Sequence, residues 1–246
     1  MVLESIIAAT VVVSLVSLVG ILTLPLKDET IQKFIFFIMS FATGTLFGAV
    51  FLDLLPEALV SLPAKTAFYA VLAGIMFFFI LEKIVHWHHH SRGHTADEKP
   101  LAVLNLVGDA AHNFFDGCAI AASFMASPSL GVATTIAVIG HEIPQEIGDY
   151  SLLIYSGFSK LKALAFNLLS AFTAVLGAVL FFYYSSVIEN GQALGLAFTA
   201  GTFIYMAGAG VIPELQKELD SRKSALQAVF MAAGIALIWV ICTYLE

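Results

Sequence analysis

Residues 101–126, LAVLNLVGDAAHNFFDGCAIAASFMA, and residues 131–156, GVATTIAVIGHEIPQEIGDYSLLIYS, are apolar runs with ionisable side chains at their centres. A bilayer core takes about 20 consecutive apolar residues as a helix. Asp, Glu and His at that depth are costly and rare without a functional reason. Reading both runs as membrane-spanning helices therefore fixes an all-α integral membrane protein and marks where its function lies.

Composition agrees. The 246 residues are 59% hydrophobic and 12% charged, with a mean hydropathy of +0.92. Soluble domains carry about 25% charged residues, so a soluble domain is excluded. The net charge of −7 reflects carboxylates within or beside helices, and no nucleic-acid partner is expected. Cys118 and Cys242 both lie in apolar runs and do not suit a disulfide framework. Residues 1–27 lack a basic start and a small-residue cleavage site, and read as a first span rather than a signal peptide.

Eight spans are expected near 5–24, 34–56, 66–85, 101–126, 131–156, 161–187, 192–213 and 224–245, forming a single transporter-like domain. Pro25, Pro56, Pro63, Pro100, Pro128 and Gly157 punctuate their boundaries. Of the eleven Lys and Arg residues, all but Lys65 fall in the odd-numbered connections. Cytoplasmic loops carry the basic excess, so both termini are expected outside. The second span contains 44-GTLFGAVFLDLLPE-57 and the seventh 201-GTFIYMAGAGVIPE-214. These spans cross in opposite directions, as the halves of inverted-repeat transporters do. The fourth and fifth spans then lie between two groups of three, a 3+2+3 arrangement.

In the fourth span Asp109, His112, Asn113 and Asp116 form one stripe at helical spacing. In the fifth, Glu142, Gln145, Glu146 and Asp149 form another, with His141 beside it. His112 lies about eleven residues into its span, roughly 16 Å at 1.5 Å per residue. His141 enters to a similar depth from the other side, so the two imidazoles are expected to meet near the bilayer centre. Imidazole with carboxylate and amide oxygen suits Zn, Fe(II), Mn, Co or Cd and disfavours Cu(I). Pro144 has no N–H and frees the carbonyl of Gly140. Asp53 and Glu57 are expected to form an acidic outer mouth, with Asp109, Asp149 and Glu214 an acidic exit. The third connection, 86–100, carries His86, His88, His89, His90 and His94, a composition that binds borderline metals weakly.

At these residues the chain resembles the ZIP (Zrt/Irt-like) family of divalent-metal transporters. The pattern H-N-x-x-D-G stands as His112-Asn113-Phe114-Phe115-Asp116-Gly117. The pattern H-E-x-P-H-E stands as His141-Glu142-Ile143-Pro144-Gln145-Glu146. The resemblance implies that His112, Asn113, Asp116, His141 and Glu142 ligate the transported metal. Gln145 stands where many relatives carry a His, so one coordination bond is in question. No Asp or Glu lies between Asp149 and Glu189, and a second metal site is expected to be weak or absent. The resemblance further implies zinc uptake across the plasma membrane, an elevator-like motion and a homodimer. It implies no resident cofactor and no enzyme activity; Fe, Mn, Co and Cd stay open as cargo.

Two other classes compete. An intramembrane zinc metalloprotease needs the second His of H-E-x-x-H, and that position is Gln145. A metal-sensing membrane protein would bind without flux.

Overall fold

The computed structural model describes residues 2–20, 28–90 and 99–244, with side chains over 2–20, 37–84, 106–154 and 156–244. The described residues are helical and contain no strand. Helix α1 spans Val2–Val16 and α2 spans Asp28–Ala49. A π-helical turn, Val50–Leu54, leads from α2 into α3, Leu55–Ser61. Helices α4 (Ala64–His90), α5 (Lys99–Ala126) and α6 (Pro128–Tyr155) follow. Then come α7 (Lys160–Ala171), α8 (Thr173–Tyr184) and α9 (Gly191–Tyr205). A second π-helical turn, Met206–Val211, leads into α10, Ile212–Leu215, and α11 covers Ser221–Tyr244.

Among the described residues, five segments are long and apolar enough to cross a membrane: Phe37–Ser61, Ala64–Ile84, Lys160–Val187, Gly191–Leu215 and Ser221–Tyr244. Val2–Val16 is apolar but shorter. Helices α5 and α6 have the length but carry the polar clusters. The fourth helical boundary differs in detail from the sequence reading, since the backbone stays helical through His90. His94 lies outside the described residues.

The two Gly-Thr…Pro-Glu stretches adopt the same local geometry. Proline has no N–H and its ring crowds the preceding turn. Leu55, before Pro56, donates its N–H to the Val50 carbonyl. Ile212, before Pro213, donates to the Ala207 carbonyl. Both are i→i−5 bonds, the π-helical widening that lets the helix pass a proline.

The single break in the sixth apolar run falls at Phe172, between α7 and α8. Hydroxyls take up carbonyls there: Ser14 Oγ donates to Ala171 O at 2.8 Å, and Thr173 Oγ1 donates to Ser170 O at 2.7 Å and to Ala110 O at 2.5 Å. Such local side-chain bonds compete with the helix ladder. By contrast α6 runs unbroken through Pro144.

Helices pair in two sets. In one, α2 packs along α11 and α4 along α9. In the other, α5 packs along α8, with α1, α6 and α7 around them. The α5–α8 contact is close because a glycine of each helix meets the backbone of the other. A Cβ on Gly117 would lie 1.8 Å from Ala174 O, and one on Gly177 2.0 Å from Phe114 O. The sets meet mainly where α2 faces α6 and α5 faces α9. A continuous apolar core, including Leu46, Val50, Ala137, Val138 and Phe203, fills that junction.

Candidate metal centre

The stripe on α5 and the stripe on α6 face each other. His112 Nε2 and His141 Nε2 are 3.3 Å apart. Asp116 Oδ2 lies 3.0 Å from His141 Nε2 and 3.7 Å from His112 Nε2. Glu142 Oε1 lies 3.4 Å from each imidazole Nε2. A tetrahedral zinc ion, with bonds of about 2.0–2.2 Å to N and O, sets its ligand atoms roughly 3.3–3.6 Å apart. The separations of each imidazole Nε2 from the other three atoms are close to the corner-to-corner spacing of such a polyhedron.

Four atoms of metal-ligand type converge here. His141 Nδ1 is 3.1 Å from the Ala137 carbonyl. A carbonyl only accepts, so Nδ1 carries a proton, and in the neutral imidazole Nε2 is then a bare lone pair. Glu142 Oε1 is buried and receives no hydrogen bond. Burying an acceptor without a partner is costly, and a cation is the group that answers all four at once. Phe78 and Phe203 pack edge-on against His112 and His141, with ring centroids 5.3 and 6.0 Å away.

A second grouping brings Asp109, Glu142 and Glu146 within 4.8 Å of one another. It forms without any Asp or Glu from α7. That helix instead supplies donors: Ser170 Oγ to Asp109 Oδ2 at 2.5 Å, and Asn167 Nδ2 to Glu146 Oε2. Asn113 sits beside the His pair but sends its Nδ2 to Asp109 Oδ1 at 2.9 Å. Gln145 Nε2 also donates to Asp109 Oδ1, at 3.1 Å. Neither amide nitrogen faces the four converging lone pairs.

A cavity of about 700 Å³ reaches this centre from one end. His112, His141, Asp109, Gln145, Asp149 and Glu214 line it, together with Glu82 and Tyr205. The Tyr205 hydroxyl donates to Glu82 Oε2 at its rim, and Lys217 Nζ contacts Glu214 Oε1 at 2.5 Å. At the opposite end Glu57 lines a separate cavity of about 180 Å³ with Ser61, Asn190 and Gln192. Asp53 lines neither: it is 7% exposed, and Cys242 Sγ donates to its Oδ2 at 3.3 Å. Glu146 is also off the cavity, turned to Asn167.

Sequence reading overlooked Asn167, Ser170, Glu82 and Tyr205. Asn167, Ser170 and Thr173 recur every third residue in an apolar run, a polar stripe that was there to be found. Glu82 and Tyr205 belong to different helices and carry no shared pattern.

The sequence profile of the ZIP zinc transporter family matches residues 3–101 and 88–242. The chain is 31% identical to the zinc transporter YKE4 of Saccharomyces cerevisiae over 270 aligned residues, covering 94% of this chain and 78% of that protein. It is 34% identical to zinc transporter ZIP13 of Pongo abelii over 224 residues, covering 85% of this chain and 67% of that protein. Against zinc transporter SLC39A7 of Rattus norvegicus, identity is 38% over 163 residues, 61% of this chain and 34% of that protein. These relatives are transporters and not enzymes, which sets the metalloprotease reading aside. The chain belongs to the ZIP zinc transporter family.

Proposed function

We propose that the protein carries divalent transition metal, zinc first, through the bilayer by way of the centre formed by His112, Asp116, His141 and Glu142. The convergence of two imidazole nitrogens and two carboxylate oxygens, each imidazole Nε2 within 3.0–3.7 Å of the other three atoms, carries this reading. Asn113 and Gln145 complete the surroundings of the ion through their amide oxygens. Fe, Mn, Co and Cd fit the same ligand types.

The mechanism follows from the cavity's one-sidedness. At the open end Lys83 follows the cavity-lining Glu82 and Lys217 pairs with the cavity-lining Glu214, and basic residues at this end support reading it as cytoplasmic. The ion held at the centre is thus released inward, past Asp109, Asp149, Glu82 and Glu214. Both termini then face outside, in a plasma-membrane protein of eight spans arranged 3+2+3. The matching π-helical turns before Pro56 and Pro213 support the inverted repeat. The α5–α8 set carries the ligands and slides as an elevator against the α2–α11 and α4–α9 pairs. Glu57 and Asp53 receive the ion at the outer end. His86, His88, His89, His90 and His94 take it up after release, and the transporter works as a homodimer.

Zinc flux into proteoliposomes tests the reading. His112→Ala and His141→Ala are each expected to abolish saturable flux and zinc binding. Lowering the pH is expected to weaken zinc binding, because protons compete for the same lone pairs. Retained flux in both variants overturns the site. Zinc binding without flux in the native protein favours a sensor instead. A metal competition panel repeated on Gln145→His reports how the fifth motif position sets preference.

A further inference from the structure

Asp109 is 4% exposed and collects donors from three helices. From α5, Asn113 Nδ2 donates to Asp109 Oδ1 at 2.9 Å and to the Asp109 backbone carbonyl at 3.2 Å. From α6, Gln145 Nε2 donates to Oδ1 at 3.1 Å. From α7, Ser170 Oγ donates to Oδ2 at 2.5 Å. An ionised carboxylate only accepts, so each amide must show it the NH2 end. A planar carboxamide whose donor end is fixed has its acceptor end fixed too. Both contacts of Asn113 run from its Nδ2, and its Oδ1 is left buried with no hydrogen-bond partner. Gln145 lines the cavity beside His112 and His141.

The geometry points to Asp109 as a positioning residue that turns the carbonyl oxygens of Asn113 and Gln145 toward the transported cation by holding their NH2 groups. This rests on the metal centre proposed above. Without the Asp109 carboxylate, Asn113 keeps only its bond to the backbone carbonyl and Gln145 loses its Oδ1 contact, so a half-turn of either amide meets less resistance. Its partial positive NH2 end then faces the ion and repels it. A chain with Gln145 in place of an imidazole depends on this orientation, since an amide ligates only through oxygen. Ser170 anchors the other carboxylate oxygen and keeps Asp109 from turning.

Zinc binding to the purified full-length chain by equilibrium dialysis, with flux in proteoliposomes, tests this. Asp109→Asn offers both donor and acceptor ends, so it no longer selects an amide orientation. It is expected to raise Kd and KM for zinc by about tenfold or more, the range seen when groups that orient ligands are lost. A merely structural role lowers the amount of folded protein and leaves KM alone. Adding Gln145→Ala to Asp109→Asn is expected to raise KM no further than the larger single effect. If D109N does not accumulate as folded protein, Gln145→Leu carries the test, because it removes the oriented amide and leaves Asp109 with Asn113 and Ser170. Unchanged Kd and KM in the variants, with zinc binding still lost in His112→Ala, overturns the inference and leaves the metal centre standing. Multiplying KM effects in the double variant also overturn it. Zinc binding retained in His112→Ala sinks the centre itself.

Discussion

The two ends of the His112–His141 pair are built differently. Toward Glu82, Asp149 and Glu214 there is a cavity of about 700 Å³. Toward Glu57 the chain closes over the centre with Leu46, Val50, Ala137, Val138, Ala200 and Phe203, all of them buried. The two π-helical turns share this asymmetry. Met206, Gly210 and Val211 of the second turn line the cavity. In the first turn Val50, Asp53 and Leu54 are buried against the core. Equal local geometry thus serves two environments, and the difference lies in which helices pack against each turn. A carrier needs one end sealed while the other is open, and here the seal is apolar packing rather than a polar latch.

Substitutions that break this contrast rank by what they disturb. Phe203→Ala is expected to have the largest effect. Phe203 is fully buried beside His141, and truncating a packed Phe costs roughly 3–5 kcal/mol. Thermal unfolding in detergent reports the loss, and dye leak through proteoliposomes reports the opened seal. An unchanged melting temperature would show that the ring does not carry the closed end.

Thiol labelling sharpens the comparison with a smaller disturbance. A Cβ on Gly210 meets nothing within 4 Å, so Gly210→Cys is tolerated. Ala200 on the same helix is fully buried. In a Cys118→Ser, Cys242→Ser background, an impermeant maleimide is expected to label Gly210→Cys readily and leave Ala200→Cys unlabelled until the protein opens. Equal labelling of both contradicts a one-sided cavity. Tyr205→Phe should do least. It removes one hydrogen bond to the exposed Glu82, worth about 1 kcal/mol or less. Melting and zinc KM are expected to shift little; a large change in either would make that rim contact a gate.

The candidate site was unusually legible. His112, Asp116, His141 and Glu142 are named by helical spacing and depth, because a stripe of ligand-type residues at bilayer depth has few other uses. Asn113 and Gln145 are named too, but spacing does not say which end of an amide faces the ion. The acidic mouths read less well. Asp53 is acidic in sequence yet packs beneath Cys242, since a carboxylate near a helix end is buried or wet according to its neighbours. The sixth run carries no Asp or Glu. That absence does not reveal that Asn167 and Ser170 take that place as donors.

The sequence by itself determined the helical class, the membrane setting, the family and the residue types of the candidate centre. Each of these depends on local composition and on periodicity along one helix. Only the tertiary structure decided which end of the centre is open, that three helices converge on Asp109, and that matching π-helical turns meet unlike surroundings. Those features arise from contacts between residues far apart in the chain, which close packing fixes and a one-dimensional pattern does not encode.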